Sequence, residues 1–295
     1  MNSAFLRRYS LPYLFLAPAA AVMLLIVLYP FLYNIVIAFS NMSLYHLRDW
    51  KFIGLEHFRT IFAEPALYRV FLKTVIWTGV NLVFHLLFGV GIALILNQQI
   101  RGRGVYRALL ILPWAMPQYI TALTWRGMFN FEYGAVNLIL RSFHLPAIPW
   151  LSDANWSLAA PIIANIWLGF PFIMVVALGG LQSIPRELYE AADIDGAGWW
   201  VRLRRITLPL IKPVLVPAVA LGTIWTFNNL NVLWLVTNGG EPADKTHILV
   251  TYVYKAAFHY YRYGYAAAFS IVIFLILLVF VAWFLRASRE RKGVA

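Results

Sequence analysis

The distribution of charge limits what this chain can become more than any motif does. Between successive Asp, Glu, Lys and Arg residues lie six long charge-free windows: Tyr9–Leu47, Thr74–Ile100, Ala108–Trp125, Ala154–Pro185, Pro213–Gly240 and Tyr263–Leu285. They run for 39, 27, 18, 32, 28 and 23 residues. A helix crosses the hydrocarbon core of a bilayer with about 20 apolar residues. Composition points the same way, with 62% of the 295 residues apolar and only 12% charged. Soluble domains are roughly 25% charged. A water-soluble globule could not bury this much apolar surface. A soluble enzyme, a nucleic-acid-binding domain and a disordered chain are therefore excluded. The expectation is an all-α polytopic membrane protein, one domain over 1–295, with six spans near 13–39, 74–97, 107–128, 157–180, 213–237 and 264–285.

The net charge of +12 would suggest nucleic acid in a soluble protein. In a membrane protein Lys and Arg gather on the cytoplasmic side. Six spans with the N-terminus inside place 1–12, 98–107, 181–212 and 286–295 in the cytoplasm, and these segments hold 14 of the 24 basic residues. Among them are Arg101, Arg103, Arg202, Arg204, Arg205, Arg289, Arg291 and Lys292. Both termini are thus expected inside. The first window, at 39 residues, is too long for a signal-peptide core of about 7–15, so it reads as a retained span. With no cysteine, disulfides and thiolate metal sites are excluded.

Several chemistries are absent. No Gly-Lys pair exists, so there is no Walker A phosphate loop, and no two His residues are four apart as a zinc helix requires. The charge-free windows hold no carboxylate that could bind a coupling ion. His85 is the one histidine inside a span, and it reads first as a hydrogen-bonded packing residue. If the chain transports a solute, the energy comes from another subunit.

The loop 181–212 carries the most specific pattern. It divides at Gly196, a residue suited to a left-handed helix stop. Ser183 is the expected N-cap and Pro185 the expected first-turn residue of a short acidic helix. That helix carries Glu187, Glu190, Asp193 and Asp195, four of the twelve acids in the chain. Beyond Gly196, Trp199, Leu203 and Ile206 recur at helical spacing with Arg202 and Arg205 on other faces, as in a helix lying at a membrane interface. The acidic helix is either a solvated loop helix or a docking knob for a cytoplasmic partner.

Glu190-Ala-Ala192, Gly196 four residues on, and Ile206-x-Leu-Pro209 after nine more resemble the EAA loop of binding-protein-dependent ABC importer permeases. Leu14-Phe-Leu-Ala-Pro18, Tyr29-Pro30, Ile53-Gly-Leu55, Leu110-Ile-Leu-Pro113, Asn165-Ile-Trp-Leu-Gly169, Phe227-Asn-Asn229 and Thr237-Asn-Gly-Gly240 extend the resemblance to carbohydrate importers, and to the maltose-type membrane subunit above all. The likeness implies a type I permease fold whose cytoplasmic coupling helix inserts into an ATPase. Glu187, Tyr189, Glu190, Ala191, Ala192, Asp195 and Gly196 would make that contact. It implies as partners a second homologous permease, two copies of the ATPase, an extracytoplasmic sugar-binding protein and the lipid bilayer, with no nucleic acid. ATP and Mg would belong to the ATPase, with no cofactor held by this chain. The location implied is the bacterial cytoplasmic (inner) membrane.

Sugar sites pair aromatic faces, which cover apolar C–H surfaces, with amides and hydroxyls that bond the sugar hydroxyls. Three spans offer both. Trp114 and Gln118 are four apart, on one face if span 3 is a single helix. Asn165, Leu168, Gly169 and Phe172 share a face of span 4, and Trp225, Thr226 and Asn229 a face of span 5. By resemblance these nine line the sugar path. For the aromatics ordinary helix packing stays equally open. An unpaired amide in lipid costs about 1–3 kcal/mol or more, so Asn165 and Asn229 must find partners. The main expectation is a sugar-importer permease of the maltose, trehalose or maltodextrin type. The alternatives are a self-contained channel or facilitator for a small polar solute, and an assembly or sensory subunit without transport.

Overall fold

The computed structural model describes residues 3–290, and Arg291 and Lys292 of the basic tail lie outside them. Among the described residues the structure is helical, with one isolated bridge between Ser40 and Phe52. The chain divides into two compact units, Met1–Pro65 with Val253–Leu275, and Ala66–Tyr252 with Ile276–Ala295.

Among the described residues, five helices are long and apolar enough to cross a membrane: Tyr13–Ala38, Pro65–Leu96, Ala159–Gln182, Trp199–Phe227 and Tyr263–Phe284. They correspond to expected spans 1, 2, 4, 5 and 6. Expected span 3 is carried instead by two helices, α5 (Arg103–Ala115) and α6 (Gln118–Met128). The cause is Pro117. A proline pushes the residue before it out of the helical region, and Met116 is extended at ψ 143°.

In the first unit, α1 (Ser3–Met23) passes through a π-turn, Leu24–Leu28, into α2 (Tyr29–Ala38). The irregularity falls inside the span. Pro30 lacks an N–H and crowds the carbonyl four residues back, and the backbone widens just before it, with Tyr29 N bonded to Leu24 O. Residues 13–32 are exposed on every face, so this helix needs lipid or a partner around it. An amphipathic helix follows, α3 (Glu56–Ala63), which buries Ile61. Here His57 Nε2 donates to the Ser40 carbonyl at 3.0 Å. Its ring meets Tyr265 edge-on, and Tyr265 Oη donates to Glu64 at 2.8 Å. Tyr265 lies in α14 (Tyr263–Glu290), whose Gly264 has no room for a Cβ between the Ser40 carbonyl and the His57 ring.

The second unit is built on α4 (Pro65–Leu96) and α8 (Ala159–Gln182). The buried positions of α4 include Thr74, Trp77, Asn81, His85, Gly89, Ala93 and Leu96, a helical stripe with a polar middle. One apolar cluster gathers Trp77, Ala164 and Leu168 with Val232 and Leu233; another gathers Ala93, Phe170, Met174 and Ile211. Along α4, Asn81 and His85 lie between Trp77 of the first cluster and Ala93 of the second; along α8, Asn165 lies within the first, between Ala164 and Leu168. At Gly89 the backbones approach closely, and a Cβ there would sit 2.7 Å from Ile173 Cβ. Between α6 and α8, α7 (Ala135–Ser142) carries Asn137, fully buried, which bonds Phe131 O, Ile148 O, Ile148 N and Trp150 Nε1 and so satisfies its whole amide. The segment before the last long helix holds α13 (Leu249–Phe258).

Expected span 5 starts earlier and stops sooner than 213–237. Helix α10 (Trp199–Arg202), a π-turn at Leu203–Thr207 and α11 (Leu208–Phe227) are continuous, and Leu230–Val236 is a separate helix, α12. The interfacial segment is thus the first part of the span helix. Leu203 and Thr207 turn inward, while Trp199 and Trp200 are exposed at 61% and 62%. As before Pro30, the π-turn precedes a proline, Pro209, and Leu208 N bonds Leu203 O.

Two outcomes follow. Gly89→Ala should destabilise the detergent-solubilised protein by about 1–3 kcal/mol through overpacking, seen as a lower thermal midpoint. Burial holds the His57 pKa below its usual 6.5, with Arg262 adding to the depression while the Ser40 bond and Glu56 oppose it. The unfolded loop then binds more protons than the folded one between the lowered value and 6.5. Stability is full above 6.5 and falls on acidification through that window. Hydrogen exchange at the Gly264 amide, bonded to Met42 O at 2.8 Å, should speed up at low pH, and His57→Gln should remove that dependence.

Candidate functional site

The middle of the second unit is joined by side-chain amides. Asn229 Nδ2 donates to Asn165 Oδ1 at 2.9 Å, Asn165 Nδ2 to Asn81 Oδ1 at 2.8 Å, and Asn81 Nδ2 to Trp77 O at 2.8 Å. Trp77 Nε1 closes the run on Thr226 O at 2.8 Å, while Asn229 Oδ1 caps α12 by accepting from Val232 N. The polar groups that lipid would penalise thus satisfy one another across three helical segments. Asn165 and Asn229 have the partners their burial demands, and those partners are protein. Asn81 was not foreseen: it looked like any polar residue of span 2, and only its neighbours give it a role.

Beside this relay lies a cavity of about 110 Å³. All nine residues expected at the sugar path border it. Trp114 and Gln118 come from α5 and α6, Asn165, Leu168, Gly169 and Phe172 from α8, and Trp225 and Thr226 from the end of α11. Asn229 is the N-cap of α12. Two expectations of local geometry are corrected. Trp114 and Gln118 do not share a helix face, because Pro117 divides the span between them. Asn229 does not continue the α11 face, because α11 stops at Phe227. Both breaks aim chain ends at the cavity.

Phe172 stands between the two indoles, with ring centroids 6.0 Å from Trp114 and 5.1 Å from Trp225. Trp114 and Trp225 are half exposed, so their faces are open to a ligand. A second, wider cavity of about 430 Å³ shares Trp114, Gln118, Trp225 and Asn229 and adds Asn228 and Asn231. Asn231 Nδ2 donates to Gln118 Oε1 at 3.4 Å, and both side chains are exposed. With Asn165 and Asn229 engaged in the relay, Gln118, Asn228 and Asn231 are the amides with capacity left for a ligand. Asn228 and Asn231 escaped sequence reasoning, although the run Asn228-Asn229-Leu-Asn231 in a span was a signal that could have found them. His85, 5% exposed, also borders the cavity. Its Nε2 donates to Asn165 O at 3.0 Å. Gly169 admits it, since a Cβ there would overlap the His85 ring.

The acidic loop helix is α9 (Glu187–Ile194). Its N-cap is Arg186, not Ser183, whose hydroxyl donates to Gly180 O at the end of α8. Gly196 is left-handed at φ 71°, as expected. Ala197 N bonds Ala192 O and Gly196 N bonds Asp193 O, the paired bonds of a Schellman stop. Of the residues expected at the ATPase contact, Glu187, Glu190, Ala191, Asp195 and Gly196 are exposed. Ala192 is buried, and Tyr189 Oη meets Thr207 Oγ1 at 2.9 Å. These two seat the helix on its own chain, a task the small Ala192 side chain permits. Asp193 pairs with Arg202 beside them.

The pattern described as "Binding-protein-dependent transport system inner membrane component" matches residues 85–292. The galactooligosaccharides transport system permease protein GanP of Bacillus subtilis (strain 168) is 37% identical over 96% of this chain and 71% of its own. The trehalose/maltose transport system permease protein MalF of Thermococcus litoralis is 36% identical over 97% of this chain and 96% of its own. Among solved structures, a bacterial alginate ABC transporter in complex with an alginate pentasaccharide-bound periplasmic protein contains a chain with TM-score 0.80 and 26% identity, covering 97% of this chain and 96% of that one.

Removing the centre of the relay should be costly. Asn165→Ala takes away the partner of Asn81 Oδ1 and of Asn229 Nδ2, at about 1–3 kcal/mol apiece. Thermal unfolding in detergent should show a larger loss than for Asn231→Ala, whose amide is exposed.

Proposed function

Because this chain belongs to the family of binding-protein-dependent transport system inner membrane components, we propose that it carries a neutral oligosaccharide of the maltose, trehalose or maltodextrin class. It is a permease subunit of an ABC sugar importer and not itself an enzyme. The observation that carries the substrate reading is the pair of adjoining cavities: three aromatic rings, the amides of Gln118, Asn228 and Asn231, and no Asp, Glu, Lys or Arg on their linings. An acidic sugar would call for fixed positive charge there. Stacked rings and neutral amides suit uncharged hydroxyl-rich ligands.

Energy enters from the cytoplasm. Two copies of a separate ATPase hold ATP and Mg, and this chain binds neither. The acidic outer face of α9, with Glu187 and Glu190, docks on the ATPase. Tyr189 and the Asp193–Arg202 pair join α9 to the start of the Trp199–Phe227 helix. The far end of that helix presents Trp225 and Thr226 to the cavity, about 29 Å from Thr207 at 1.5 Å per residue. A push on α9 is therefore delivered to the sugar site by one continuous element, which supports alternating access. A second, homologous permease completes the pathway, an extracytoplasmic binding protein delivers the sugar, and both termini lie in the cytoplasm. The α5–α6 pair makes the sixth crossing as a broken span.

Reconstitution with the partner permease, ATPase and binding protein tests this, using maltose, trehalose and maltotriose uptake. Glu190→Lys reverses the docking charge. Gly196→Pro forbids the left-handed backbone. Each should reduce sugar-stimulated ATP hydrolysis and uptake at least about tenfold, the equivalent of 1.4 kcal/mol. Intact uptake in both would refute the coupling role, and sugar flux through this chain alone would establish the channel instead.

A further inference from the structure

We infer that His85 and Asn81 are positioning residues: from α4 they clamp Asn165 at two atoms and thereby set substrate affinity. The inference rests on the sugar-cavity reading above. Asn81 and His85 are one helical turn apart and share a face of α4. Asn81 is fully buried and off the cavity wall; His85 borders the wall with only an edge exposed. Asn81 Oδ1 accepts from the Asn165 side chain at 2.8 Å, and His85 Nε2 donates to the Asn165 main-chain carbonyl at 3.0 Å. One residue of α8 is thus held through both its side chain and its backbone.

What Asn165 holds in turn is Asn229, at 2.9 Å. Asn229 caps α12 and lies at the joint between α11 and α12, where Trp225, Asn228 and Asn231 also stand. The orientation of the ligand-facing amides and of one indole therefore depends on two residues of a helix that supplies little of the wall. The chemistry names the atom. A carbonyl can only accept, so the imidazole must donate and His85 carries its proton on Nε2. A histidine that merely fills space would have no such requirement. The absent side chain at Gly169 keeps the ring in place against α8.

The clamp predicts an ordering that packing alone does not. Gln can place an amide N–H where imidazole Nε2 lies, whereas Asn reaches only the nearer ring position and Leu has no donor. In proteoliposomes with the complete transporter, KM is measured for the sugar of the three-member panel that is taken up fastest. His85→Gln should stay within about twofold of the parent KM. His85→Asn and His85→Leu should raise KM about fivefold to tenfold, the effect of one hydrogen bond, with a smaller change in Vmax. If His85→Leu fails to assemble, the Gln and Asn variants, of like polarity, carry the comparison. Equal KM values for Gln and Asn would overturn the clamp. Trp225→Ala separates the two levels of inference. If it raises KM while the His85 series does not split, only the clamp fails; if it leaves KM unchanged, the cavity is not the sugar site.

Discussion

The run of amides Asn229–Asn165–Asn81, closed by Trp77 on Thr226 O, is the interaction around which the second unit is organised. Each member is an amide that lipid or an apolar core would penalise, and each is satisfied by another helix. The relay is set into the first apolar cluster, which contains Trp77, so the helices cannot slide past one another without breaking polar bonds in a water-poor interior. The cavity owes its position to this band. It opens where the relay ends, at the joint between α11 and α12, and two of its three aromatic residues, Phe172 and Trp225, stand on helices that the relay joins.

Proline supplies the second organising constraint. Pro117 divides α5 from α6 and directs both chain ends to the cavity. Pro30 and Pro209 each follow a π-turn, where the ladder widens to accept a missing N–H. The latter turn lies at Leu203–Thr207, between the seat of α9 and the length of α11. Thr207 belongs to this turn and also bonds Tyr189. The loop helix is therefore anchored where the span helix departs from regular geometry, while its acidic face remains open to solvent.

Much of this was legible in the residues. Charge-free windows marked the apolar helices, Gly196 marked the end of α9, and the nine cavity residues were recognisable by resemblance to a known family, six of them as aromatic or amide side chains. Other features were not. Asn81 and His85 gave no local signal of a shared partner, because their bonds reach across 84 and 80 residues of sequence. Ser183 has the composition of an N-cap but serves the preceding helix. Trp114 and Gln118 appeared to share a face because spacing assumes an unbroken helix. Ala192 looked available to a partner, yet it is packed against its own chain.

The sequence by itself determined that the chain belongs in a bilayer, which helices are apolar, and where an acidic helix stands on a basic face. These follow from hydrophobicity and charge, which act locally and can be read along the chain. Only the tertiary structure decided which amides are consumed in holding helices together and which are left for a ligand, and which face of α9 is turned outward. Hydrogen-bond satisfaction and burial are properties of neighbours in space. The neighbours here come from helices far apart in the chain.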